Sequence, residues 1–291
     1  MRWLCLLALA GCGRPEPPSG LPGGGRIAFA FDRNVLVDRD ILILDDGKNE
    51  PWELTSGGGT NEAPAWAPEG RTILFNRNVD GLKAIFIWED DGEIERLCSA
   101  PYVDMAPSWS PDGRRFAVMS LRDDNWELYV LRADGTGDYR LTEDEADDQW
   151  PAWSPKENVV AFVSTRDGAS DLWTVDVGTL EVRRLTSDRF VDGRPAWSPD
   201  GNRLAWSSAR DGKPAVFVMN ADGKNVRRLT SPEHESLDPA WSPDGRHLVY
   251  VGSQDGYKEL YVIDAEGKTE PRRLTELRGT VRSPSWGRRP G

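Results

Sequence analysis

An all-β fold, a six-bladed β-propeller of four-stranded blades with its two chain ends interleaved in one blade, is what this sequence predicts, and three observations carry it. Proline, a small residue and tryptophan recur six times, ending at Trp66, Trp109, Trp153, Trp197, Trp241 and Trp286, with spacings of 43, 44, 44, 44 and 45 residues. Each period holds four short β-rich runs and no apolar pattern of helical spacing. The two chain ends carry complementary incomplete units. A fixed period of this length marks one supersecondary unit copied around a ring, and it overrides the two-domain guess that 291 residues would suggest.

In chain order, residues 1–11 read as a signal peptide. Met1-Arg2 gives a positive start and Trp3 to Ala10 an apolar run of eight residues, far short of the ~20 that cross a bilayer as a helix. Leu9-Ala10-Gly11-Cys12 resembles the lipobox of bacterial lipoproteins, which implies cleavage before Cys12 and its acylation, and two or more chains give stable anchoring. Residues 12–25 then form the lipidated cysteine and a tether, because Pro15, Pro17, Pro18 and Pro22 among glycines cannot build a core. Fully extended, that tether reaches roughly 40 Å. Gly13 after the cysteine implies, by the same resemblance, the outer membrane facing the periplasm, or the cell surface in a Gram-positive owner.

The propeller is expected over residues 26–291. Runs at Arg26 to Phe31, Asp40 to Leu44 and Trp52 to Thr55 supply strands two to four of a first blade that has no tryptophan strand of its own. Each later period opens on its tryptophan strand and then turns. Ser110-Pro111-Asp112-Gly113, Ser198-Pro199-Asp200-Gly201 and Ser242-Pro243-Asp244-Gly245 suit a type I turn, Ala67-Pro68-Glu69-Gly70 is a near copy, and Ser154-Pro155-Lys156-Glu157, without the glycine, is expected to be looser or longer. Two further β runs follow, as in Arg115 to Met119 and Glu127 to Val130, and Arg-Leu-Thr closes the unit at 140–142, 184–186, 228–230 and 273–275. Trp286 has nothing after it to complete a blade, so its strand should close the first one. Proline two residues before each tryptophan places that strand at a sheet edge, facing the central channel.

The P-A-W-S-P-D-G turn, the run ending near Ser-x-Arg-Asp-Gly and the closing R-L-T resemble the propeller repeats of the TolB family over about Arg26 to Trp286. The resemblance implies an envelope binding protein, with a peptidoglycan-associated lipoprotein or other envelope protein or peptide as partner. It is confined to the propeller. The α/β domain that precedes it in that family has no counterpart in these residues, and its role is not carried over.

Without residues 1–11 the chain carries 35 basic and 48 acidic residues, a net charge of −13 that disfavours a nucleic-acid partner. Loops leading into the tryptophan strands hold 13 acids, among them Glu143, Asp144, Glu145, Asp147, Asp148, Asp192 and Asp238, against Arg189, Arg194, Arg278 and Arg282. In a propeller these loops share one face, and Glu143, Asp144, Glu145, Asp147, Asp148, Trp150 and Asp192 are the candidate partner-binding residues there. The same acids also serve plain solubility. Five residues before the tryptophans stand Asn61, Asp104, Asp148, Asp192, Ser236 and Val281, and Asp104, Asp148 and Asp192 are candidate ligands for a cation such as calcium. The alternative is that they pair with the recurring Arg122, Arg166 and Arg210. Trp150 reads equally as a rim contact or as packing against the next blade.

An enzyme would need a site that these residues do not spell. There is no G-x-S-x-G, and the two histidines are His234 in an acidic loop and His247 at a strand start. Of three cysteines Cys5 leaves with the signal, Cys12 is lipidated and Cys98 replaces the threonine of R-L-T, so no disulfide forms within the mature domain. No cofactor is expected beyond the candidate calcium. The reading is a monomeric, lipid-anchored propeller that binds an envelope protein or peptide through its acidic loop face; the alternatives are a propeller enzyme, lyase or hydrolase-associated, and a cation-binding propeller.

Overall fold

Each period of the sequence forms one antiparallel sheet. The computed structural model describes residues 20–33, 39–57, 59–90, 92–98, 102–254 and 256–290, and its named strands belong to six four-stranded sheets. Blade I contains β1 (Arg26–Asp32), β2 (Arg39–Asp45) and β3 (Trp52–Glu53). Blade II is β4 (Asn61–Trp66), β5 (Thr72–Val79), β6 (Leu82–Glu89) and β7 (Ile94–Arg96); blade III is β8 (Asp104–Trp109), β9 (Arg115–Ser120), β10 (Glu127–Arg132) and β11 (Tyr139–Arg140). Blade IV is β12 (Asp148–Trp153), β13 (Val159–Ser164), β14 (Asp171–Asp176) and β15 (Val182–Arg184); blade V is β16 (Ala196–Trp197), β17 (Arg203–Ser208), β18 (Ala215–Asn220) and β19 (Arg227–Arg228). Blade VI is β20 (Ser236–Trp241), β21 (His247–Gly252), β22 (Glu259–Asp264) and β23 (Arg272–Arg273), and the last strand is β24 (Thr280–Gly287).

The last strand closes the ring. β24 pairs antiparallel with β1, with Ile27 opposite Trp286 and Phe31 opposite Val281, so blade I takes its innermost strand from the far end of the chain. The tryptophan strands lie at sheet edges and contact one another in order, β4 to β8, β12, β16, β20, β24 and back to β4. Their edge position explains how each tolerates proline.

The core is divided into six apolar layers between neighbouring blades. In blade III, Ala117 and Met119 face blade IV while Phe116 and Val118 face blade II, and Leu128 and Val130 alternate likewise with Tyr129 and Leu131. A strand covered on both faces must be apolar at every position, which is why these runs read as unbroken hydrophobic stretches. The tryptophans join successive blades: indole Nε1 of Trp109, Trp197 and Trp241 donates to the carbonyl of Ala65, Ala152 and Ala196, one blade back, at 3.2, 3.0 and 3.1 Å. Where the preceding blade offers serine instead, Ser108 and Ser285 accept the backbone N–H of Trp153 and Trp66 through Oγ, and those two indole Nε1 atoms are buried without a partner among the described residues.

Three details differ from the sequence reading. The tether boundary at residue 25 is wrong on its C-terminal side: Leu21 is buried in the layer between blades VI and I, its N–H donates to Asp46 Oδ1, Arg272 donates to the Gly20 carbonyl, and Trp286 Nε1 to that of Gly24. One leucine and these three hydrogen bonds dock that stretch. The glycine-free turn after Trp153 is not longer, since the Ser154 N–H reaches the Val159 carbonyl across the same span as Ser110 to Arg115; Glu157 N–H bonds Ser154 Oγ, in place of the Gly113 N–H to Ser110 carbonyl bond. Finally, the tryptophan strand of blade V is cut to Ala196–Trp197, with a lone bridge from Asp192 to Ser208 continuing its line. The signal peptide, Cys12 and the tether before residue 20 lie outside the described residues.

Candidate functional site

Antiparallel order fixes which loops meet. Within a blade the chain alternates direction, so the entry into each innermost strand and the link between the second and third strands emerge on one side, the loop face. The S-P-D-G turns and the links between third and fourth strands emerge on the other, the turn face. Backbone bonds within the loop face confirm the pairing: Leu121 N–H to the Val103 carbonyl, Thr165 to Asp147, Ala209 to Val191 and Ser253 to Glu235.

The acids at the starts of the innermost strands are structural. Asp104, Asp148 and Asp192 are at most 2% exposed, and each meets the recurring arginine of its own blade: Arg122 at 3.0 Å, Arg166 at 2.7 Å and Arg210 at 3.2 Å. Each guanidinium also donates to a serine, Ser120, Ser164 or Ser208, and lies over an aromatic ring, Tyr129, Trp173 or Phe217. Burial pushes the carboxyls of Asp148 and Asp192 above the usual range, against the pull of the serine hydroxyls and arginines. Each candidate calcium ligand is thus paired with an arginine of its own blade, Asp148 keeping one buried oxygen, Oδ1, without a partner among the described residues, and among those residues no three His, Cys, Asp or Glu side chains stand close enough to hold a metal ion.

A second repeated arrangement escaped the sequence reading. At the start of the third strand stands a buried acid in four blades, Glu127, Asp171 and Glu259 as its first residue and Asp40 as its second, and the threonine of the closing motif bonds it while accepting the next backbone N–H through the same hydroxyl. Arg140, Arg184 and Arg273 of R-L-T complete it by pairing with Glu127, Asp171 and Glu259. The signal was present in Glu-Leu-Tyr, Asp-Leu-Trp and Glu-Leu-Tyr opposite R-L-T. In blade II alanine and cysteine replace acid and threonine, and Cys98 is a packed thiol that burial pushes up to about 12.

Of the seven candidate partner-binding residues, the fold leaves two acids exposed on the surface, Glu143 within 3.7 Å of Arg140. Glu143 and Glu145 are exposed; Asp144 accepts from Ala146 N–H and approaches Arg166, Asp147 accepts from Trp126 N–H, and Asp148 and Asp192 are buried as above. Trp150 is half-buried, packed on the apolar layers either side of blade IV. His234 makes no hydrogen bond with its acidic neighbours, for Glu235 pairs with Lys258 and Asp238 accepts from Ser283 N–H.

Beside these acids the loop face exposes apolar side chains that the sequence reading missed: Leu82, Tyr102, Leu121, Val191 and Tyr257, each 39–63% exposed, from the loops of blades II, III, V and VI. The Tyr102 ring is held by Arg122 at 4.5 Å. Isolated hydrophobic residues carry no periodic signal, and only the ring brings them to one face.

Comparison with known proteins agrees with this geometry. A family model described as the TolB beta propeller domain matches residues 89–289. The chain superimposes on the crystal structure of TolB from Acinetobacter baumannii with a TM-score of 0.81 and 25% identity, covering 91% of this chain and 67% of that one. A putative TolB from Agrobacterium tumefaciens gives 0.73 and 20% identity, covering 88% and 90%. An uncharacterized protein of Agrobacterium fabrum is 31% identical over 84 residues, which span 28% of each chain.

Proposed function

From the premise that this chain belongs to the TolB beta propeller family, we propose that it is an exported, lipid-anchored envelope protein that binds a protein or peptide partner on its loop face. The observation that carries this reading is the coincidence of exposed Leu82, Tyr102, Leu121, Val191 and Tyr257 with exposed Glu143 and Glu145 on one side of the ring. Apolar and aromatic anchors inside a charged rim are the anatomy of a protein interface, and the acids steer a basic approach. The lipobox resemblance at Leu9 to Cys12 supports the anchor, and the TolB resemblance makes a peptidoglycan-associated lipoprotein the first partner to test.

The test is capture from envelope extracts of the owner organism. Tyr102→Ser with Leu121→Ser and Val191→Ser should lose the partner at any salt, while Glu143→Lys with Glu145→Lys should lose it mainly at low salt, because the Debye length falls to ~3 Å at 1 M. Equal recovery by wild type and both variants would refute the loop face as the binding surface. Cys12→Ser, scored by fatty-acid labelling, tests the anchor separately.

A further inference from the structure

One position of the innermost strands, three residues before the tryptophan, is occupied by Ala63, Ala106, Trp150, Arg194, Asp238 and Ser283 in blades II to VI and I. Five of these residues have φ between 48° and 55°, and the sheet register slips there in each of the five blades, so the position is a β-bulge that re-aims its side chain. Blades IV, V and VI place their large side chains at it. Trp150 packs on the layer that contains Ala63 and Ala106 as well as on the next one, and the Arg194 guanidinium lies over its ring at 5.0 Å. Asp238 is tied to Ser283 N–H at 3.0 Å.

Arg194 differs from the other arginines of the inner ring. Arg122, Arg166 and Arg210 each have a buried aspartate, whereas Arg194 makes no ion pair among the described residues, and its Nη1 is buried with no hydrogen-bond partner among them. Asp238 acts on it electrostatically without pairing. A guanidinium that buries one donor without a partner is costly unless a ligand completes it. We infer that Arg194, backed by the Trp150 ring, is the seat for a carboxylate group of the partner, inserted into the channel mouth from the loop face; this rests on the loop face being the binding surface. The planar fork of the guanidinium matches a carboxylate in bidentate geometry. A doubly charged phosphate is disfavoured by neighbouring Asp238 and by the acidic rim, through which a single carboxylate can pass when carried on a chain whose basic residues meet Glu143 and Glu145.

The carboxylate could be a chain terminus or an Asp or Glu side chain, and three synthetic peptides separate these sources: acetyl-Lys-Gly-Gly with a free carboxylate, acetyl-Lys-Gly-Asp-amide, and acetyl-Lys-Gly-Gly-amide. The readout is the arginine Nε–Hε NMR signal of the full chain that disappears in Arg194→Met. One or both carboxylate peptides should move it saturably, at least tenfold more tightly than the doubly amide-blocked control, and which one does so identifies the source. Asp238→Asn, which leaves the seat intact, should tighten that binding. Equal response to all three peptides, no response, or a response that arises only in Asp238→Asn would overturn the inference. Loss of protein capture by the Tyr102, Leu121 and Val191 variant with the peptide response retained would instead fault the apolar anchors and leave the seat standing.

Discussion

Trp153 and Trp241 occupy the same place in two inter-blade layers, are each 5% exposed and each lie under an arginine, yet of the two only the Trp241 indole finds a hydrogen-bond acceptor among the described residues. Replacement by phenylalanine removes the same ring volume from both. It breaks a bond at 241 and relieves a buried unpaired N–H at 153, so Trp241→Phe should destabilise the domain by about 1 kcal/mol more than Trp153→Phe in urea unfolding. Equal losses would mean that the indole bonds contribute nothing beyond burial. At this scale the sequence announced which residues recur but not how they are used. The column of Asp104, Asp148 and Asp192 was visible, as were its arginines; that the pairs lie buried and sealed by aromatic rings depends on the neighbouring strand, which spacing alone does not locate.

Strands and turns were the most legible level, because period, alternation and proline–glycine punctuation are local properties. What failed was local too: Leu21 lay in a stretch whose average composition reads as a tether, and an average conceals one buried side chain. The repeated link between third and fourth strands makes a quantitative contrast. Thr275 Oγ1 accepts Leu260 N–H at 3.0 Å and donates to fully buried Glu259 at 2.6 Å, whereas the corresponding Thr230 accepts Val216 N–H in a blade where Ala215 replaces the acid. Thr275→Val leaves both a buried N–H and part of a buried carboxylate unmatched and should cost about 2 to 3 kcal/mol; Thr230→Val strands only the N–H and should cost about 1. Equilibrium unfolding of the two variants checks the order, and a larger loss at Thr230 would contradict the assignment of the acid as the main beneficiary.

At the level of the whole molecule, one strand pair and one short strap hold the ring shut. Deleting residues 281–291 removes β24, exposes the edge of β1 and opens the layer between blades VI and I, so the shortened chain should lose its cooperative transition or aggregate. Leu21→Ala should lower stability by about 2 kcal/mol, the low end for a buried leucine, measured by denaturant midpoint at unchanged slope. A wild-type midpoint for Leu21→Ala would return residues 20–25 to the tether.

Binding at the loop face is tested most directly by where a partner touches the ring in living cells. A photo-crosslinking amino acid placed singly at Leu121 or Val191 on the loop face, and at Leu180 or Val226 in the turn-face links, samples both sides at positions that are all exposed. A discrete protein adduct from Leu121 and Val191, reduced by Glu143→Lys with Glu145→Lys and missing from Leu180 and Val226, is the predicted result. Adducts from the turn-face positions with the loop-face positions silent would contradict it.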